Sequence, residues 1–231
     1  MLALKLGLSL VSIRPQGGWS PDDETSLVAW YQNKVGITLN GADVSRWDDS
    51  APAGLYDMVQ GTAEQQPTYT LDEGILTFVQ DDDNNLQTAG QISLSGDFTV
   101  GIRINPLPPV VDAGTFLADN TTIKELFKYQ TNDRITVKID ASGATNLDLD
   151  SGTFGDDYIV ITRVSNVLTL WRNGDAQTGT TPTLAGTSDI DAIGIRATGS
   201  DAFAGDIKEI QIYNSSSADL PANVNDRLSS L

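Results

Sequence analysis

The chain is cut into short stretches of alternating apolar and polar residues, and the cuts between them carry Gly, Asn, Asp and Ser. A period of two puts every second side chain on one face, which marks a half-buried strand and excludes an amphipathic helix. Residues 98–104, FTVGIRI, are the cleanest case, with Phe98, Val100, Ile102 and Ile104 on one face. The same reasoning predicts strands over 27–30, 44–48, 55–60, 75–79, 92–94, 115–118, 124–129, 134–139, 158–163, 167–171, 193–197 and 207–213. Asn132-Asp133, Ser165-Asn166 and Asn173-Gly174-Asp175 read as hairpin turns between them. Strands this dense, with no βαβ alternation, predict two packed antiparallel sheets. Three prolines within 105–111 keep that stretch out of a sheet interior. One helix is expected near the C-terminus: Asp219-Leu220-Pro221 opens it, and Val224, Leu228 and Leu231 share a face that packs across the sandwich.

Two absent residue types narrow the chemistry. The chain has no His, which excludes a His-dependent triad, imidazole general-base catalysis and the usual zinc sites. It has no Cys, so no disulfide framework exists. Its 31 acidic residues outweigh 14 basic ones, for a net charge of −17. Phosphate backbones and anionic membrane surfaces repel such a chain, so neither nucleic acid nor a membrane is expected as a partner. No stretch approaches the length of a membrane span.

Residues 1–24 read as an extended N-terminal anchoring arm, and residues 25–231 as the sandwich. MLALKLGLSL is too poor in cleavage signals for a secretion signal and is expected to be retained. Leu2, Leu4, Leu6, Leu8 and Leu10 alternate with Ala3, Lys5, Gly7 and Ser9. That spacing fits a strand added to the sheet edge of a partner. Burying five leucines supplies on the order of 10 kcal/mol before ordering costs. Trp19 follows a Pro/Gly-rich stretch and is expected to anchor the extension to a neighbouring subunit.

Three segments together resemble laminin-G/concanavalin A-like sandwich domains and span about residues 25 to 231. LVAWY at 27–31 with VSRWDDS at 44–50 resembles that superfamily's opening. QPTY at 66–69 with ILTF at 75–78 resembles its middle passage, and FAGDIKEIQIYN at 203–214 its end. The resemblance implies an all-β, two-sheet antiparallel jelly-roll sandwich with Trp30, Trp47, Phe78, Trp171, Phe203, Ile207, Ile210 and Ile212 in the core. Ile207, Ile210, Ile212 and Tyr213 cannot share one face of a regular strand, so a bulge near Gly205 or cover on both faces is required. An apolar leader running straight into such a sandwich resembles structural proteins of tailed-bacteriophage virions, notably of cyanophages. This second resemblance implies a capsid decoration or cement protein, or a tail or fibre component, at the particle surface. Other capsid or tail subunits, further copies of the chain and a host surface glycan are the partners it implies.

The same broad fold hosts glycoside hydrolases, which need two carboxylates facing one sugar bond. Asp148-Leu149-Asp150 and Asp189-Ile190-Asp191 come nearest, yet neither has a Glu partner. Asp residues beside Gly/Ser/Thr-rich turns cap local backbone, so no enzyme and no catalytic residue is expected. Asp81-Asp82-Asp83-Asn84-Asn85 is the densest acidic run. Without the EF-hand spacing it reads as a solvated loop; if a cofactor binds, it is calcium, with Asp81 and Asp83 as ligands. Sugar stacking on the tryptophans is the basis of a rival reading as a carbohydrate-binding adhesion module of a tail or fibre.

Overall fold

The computed structural model describes residues 18–107, 114–121, 124–140, 143–196 and 201–231. Among them the alternation becomes β1 (Leu27–Tyr31), β2 (Ile37–Asn40), β3 (Asp43–Trp47), β4 (Met58–Val59), β5 (Thr68–Thr70) and β6 (Ile75–Phe78). There follow β7 (Leu86–Leu94), β8 (Phe98–Pro106), β9 (Thr115–Asp119), β10 (Lys124–Thr131), β11 (Arg134–Val137) and β12 (Thr145–Asp148). The series closes with β13 (Asp157–Val164), β14 (Val167–Arg172), β15 (Asp175–Ala176), β16 (Ser188–Ile193), β17 (Gly205–Tyr213) and the helix α1 (Leu220–Ser229).

Pairings between these strands are all antiparallel and fall into two layers. The first runs β15-β14-β13-β8-β17, with β1 and β6 sharing the far edge of β17. The second runs β12-β11-β10-β9-β16-β7-β4-β3-β2. At one corner β5 pairs with β6 and bridges to β3 through Asp43 and Thr68, joining the layers. This is a jelly-roll-type antiparallel sandwich.

The inner faces meet in one apolar core. Phe98, Val100, Ile102 and Ile104 enter it from β8, as their alternation predicts, opposite Trp47, Ile92 and Leu117. Phe203 lies within 6.0–6.4 Å of Phe78, Phe116 and Tyr129, giving the core an aromatic centre. On β17 the register shifts between Ile207 and Glu209. Ile207, Ile210 and Ile212 therefore all reach the inter-sheet core, while Tyr213 belongs to a second cluster on the outer face. Both devices anticipated from the sequence, a bulge and cover on two faces, operate here together.

That second cluster lies beneath α1. Leu220, Val224 and Leu228 stand four residues apart, so they share one helix face and bury against Val160 and Tyr213. Gly101 of β8 makes this approach feasible: a Cβ there would sit 2.3 Å from Val224 Cγ1 and 3.3 Å from Leu228 Cδ1.

Several expectations change. The strand expected over 193–197 lies instead at Ser188–Ile193 and ends at Gly194, whose φ of +89° suits glycine. A Cβ on Gly194 would also meet Phe78 Cδ1 at 2.6 Å. Asp189 and Asp191 alternate with apolar residues along this strand. The run over 55–60 shrinks to two paired residues, with Leu55 exposed. Trp171 is half-buried at the margin of the helix-side cluster and not between the sheets, because Leu168 and Leu170 take the inward positions of β14. Trp30 is buried, but its ring lies beside Arg227 of α1 on the outer face.

Replacing Gly101 by Ala is expected to cost about 1–3 kcal/mol through overpacking, read as a lower denaturant midpoint with an unchanged slope. Adding Val224→Ala should recover part of that loss. An unaltered midpoint in Gly101→Ala would contradict this packing.

Candidate functional site

The carboxylates singled out in the sequence are each engaged in local structure. Asp148 on β12 is held by Arg134 of β11, with Nε donating to Oδ1 at 2.5 Å and Nη2 to Oδ2 at 3.2 Å. Asp150 accepts the backbone N–H groups of Thr178 and Gly179, at 2.9 and 2.6 Å to Oδ1, and these bonds lower its pKa. Asp189 accepts from Ser93 Oγ at 2.7 Å, a pairing across β16 and β7. Asp191 takes the N–H of Asn120 and is nearly fully buried. Burial raises its pKa, with the charges of Asp119 and Asp189 adding to the effect. Each carboxylate of the two pairs thus has a hydrogen-bond or ion-pair partner of its own.

The acidic run 81–85 is a structured turn. Asp81 is exposed in the 3-10 turn Gln80–Asp82, and Asp83 ends that turn in the left-handed region at φ +51°. The order comes from its asparagines. Asn84 Oδ1 accepts from the Val79 N–H at 2.9 Å, and Asn85 Nδ2 donates to the Asp83 carbonyl at 2.7 Å; both are buried. Among the described residues no group of three or more Asp or Glu is arranged to hold a metal ion.

Leu2, Leu4, Leu6, Leu8 and Leu10 lie outside the described residues. Trp19 is described, and it rests on its own domain. Its ring is 6.5 Å from that of Tyr213, and its Nε1 donates to Glu24 at 3.0 Å. The packed body thus reaches back to Trp19, ahead of the boundary expected at residue 25.

An open cleft that the sequence did not single out lies on the outer face of the first sheet, beyond the end covered by α1. Its volume is about 180 Å³, and it is lined by Glu73, Ile75, Arg103, Ile104, Asn105, Asp156, Asp206 and Lys208. Arg103 and Asn105 are the outward positions of β8 that follow Thr99 and Gly101, so one alternation serves core, helix and cleft. Arg103 Nη2 pairs with Asp156 at 2.7 Å, and the guanidinium carbon lies 5.7 Å from the Tyr158 ring centre. Asp206 accepts from Thr77 Oγ1 at 2.7 Å and Asn105 Nδ2 at 3.4 Å. Arg103 Nε is buried with no hydrogen-bond partner among the described residues. The available signal was a charge at an outward strand position in FTVGIRI and in GDIKEI, but sequence alone does not say that β8 and β17 are neighbours.

Fold and site together define an antiparallel β-sandwich with a polar cleft on one outer face. No protein-family model matches the chain, and no curated protein matches its sequence. Among solved structures it is similar to the sialidase of Trypanosoma rangeli, at 14% identity and a TM-score of 0.54, over 90% of this chain and 33% of that one. The same enzyme in complex with the inhibitor DANA aligns at 16% identity and a TM-score of 0.54, over 87% of this chain and 32% of the other. A botulinum neurotoxin type C structure aligns at 13% identity and a TM-score of 0.47, over 89% and 51%. The chain spans about a third of the sialidase's length, and the likeness shows the fold alone.

Because ionisation of Asp191 opposes folding, its penalty is full above the raised folded-state pKa and fades as pH falls toward the unfolded value of about 3.9. Asp191→Asn keeps an oxygen for the Asn120 N–H. The variant is expected to melt above the native protein at neutral pH, with the difference shrinking in acid. A lower melting point at neutral pH would contradict this.

Proposed function

We propose that this chain is a non-catalytic structural component of a bacteriophage particle, displayed at its surface as a decoration or cement body and tethered through its N-terminal arm. One observation supports the reading: the described residues form a two-layer core and a helix-covered outer cluster of their own. The first sheet is covered on its inner face by the second sheet and over much of its outer face by α1. On this reading the five alternating leucines are offered to an edge strand of a neighbouring subunit, which gives them pairing and burial. On this reading the arm begins beside Trp19, whose ring is seated against Tyr213. The net charge of −17 makes contact between copies costly, which favours a different, less acidic subunit as the arm's partner. The engaged carboxylates support the non-catalytic part of the reading.

A second reading, a carbohydrate-binding module of a tail or fibre, is favoured by the open polar cleft on the face that α1 leaves bare. The sialidase likeness supports its fold and nothing finer.

Removal of residues 1–17 tests the first reading. The truncated protein is expected to keep the native melting temperature and far-UV spectrum, and to fail to reload onto particles depleted of the full-length protein. Reloading at the full-length level would overturn the tether.

A further inference from the structure

We propose that the cleft between β6, β17 and β8 is a subsite for a single neutral sugar residue, an inference that rests on the carbohydrate reading and is independent of the arm. The lining decides the ligand class by what is already committed and what is not. Asp156 is taken by Arg103, and Asp206 by Thr77 and Asn105. Among the described residues, the ammonium of Lys208 and the carboxylate of Glu73 have no hydrogen-bond or ion-pair partner, and Arg103 Nε is buried without one. The uncommitted groups are thus two donors and one acceptor, set around a small opening.

A hydroxyl both donates and accepts, so adjacent ring hydroxyls match such a set: one accepts from Lys208 while its neighbour donates to Glu73. Competing ligand classes fit less well. Two cations in the wall, Arg103 and Lys208, repel a metal ion. Three carboxylates against those two cations leave the wall one unit negative within a chain of −17, which disfavours an anionic sugar. An apolar ligand would strand the charged groups without water. The volume of about 180 Å³ is well below that of pockets for drug-sized ligands, roughly 300–1,000 Å³, so the recess is sized for one ring. Ile75, half-buried at an outward position of β6, gives the ring's C–H face an apolar contact.

A site of this kind binds weakly, with a Kd on the order of 1 mM. Backbone amide shifts of the full chain should therefore be followed on titration with neutral hexoses and N-acetylhexosamines, with glucuronic and sialic acids, and with calcium chloride alone. Lys208→Met and Glu73→Gln serve as the cleft variants, since both side chains lie outside the two apolar cores. The expected result is that at least one neutral sugar shifts amides of residues 73–77, 103–105 and 206–208. Each variant should then weaken it by about tenfold or more with an unchanged melting temperature. Shifts produced only by the acids, or by calcium, overturn the ligand class. Neutral-sugar binding that survives both substitutions overturns the placement while sparing the carbohydrate reading. Silence across the whole panel overturns both.

Discussion

Glu209 stands on β17 with its side chain fully buried and both carboxylate oxygens occupied. Oε1 accepts from Trp30 Nε1 at 3.0 Å, from Gln211 Nε2 at 2.8 Å and from Arg227 Nε at 3.0 Å. Oε2 accepts from Arg227 Nη2 at 2.7 Å and from the backbone N–H of Asn33 at 3.1 Å. One group therefore joins β1, the loop after it, β17 and α1. Burying a carboxylate is costly unless paired and hydrogen-bonded, and five donors meet that condition here. The bulge between Ile207 and Glu209 is what turns this side chain toward the helix while Ile210 returns to the core. Gln211 extends the network by accepting from Tyr213 Oη at 2.7 Å, and burial raises the Tyr213 pKa so that the phenol stays a donor.

From this anchor follows the division of the outer face. At one end of β8 and β17, small or network-forming residues, Thr99, Gly101, Gln211 and Tyr213, lie under the helix. At the other end Arg103, Asn105, Asp206 and Lys208 remain at the surface and line the cleft. Clamping α1 over only part of the face leaves the rest open, so the same ion pair that closes the body also limits how much of the sheet is presented. The described body thus carries an open polar recess on the part of the outer face that α1 leaves bare.

Much of the sandwich was legible because strand periodicity is a local property. The alternation in 98–104 placed four core side chains correctly, and Ser165-Asn166 and Asn173-Gly174 form their turns with positive φ values, as their residue types suggest. What stayed hidden depends on which strands become neighbours. Arg163 ends an apolar run and looks solvent-facing, yet it is buried, donating to the carbonyls of Leu94, Gly96 and Gly186, with its guanidinium 4.7 Å from the Phe98 ring centre. Glu209 reads as an ordinary surface charge in GDIKEI until the bulge and the helix are known. The cleft was illegible for the same reason: its residues come from four separate segments, and only the β6-β17-β8-β13 order brings them together. Trp19 lies outside the strand pattern, so its ring contact with Tyr213 and its bond to Glu24 depend on packing that local periodicity does not report.

A double-mutant cycle on Glu209→Gln and Arg227→Met, followed by chemical unfolding, tests the anchor most directly. Each single change is expected to cost about 3 kcal/mol or more, because it leaves a buried charge or donor without its partner. The double variant should lose clearly less than the sum, giving a coupling above about 1 kcal/mol. Additive effects, with each single change within about 0.5 kcal/mol of the native protein, would contradict the claim that this pair holds the helix to the sheet.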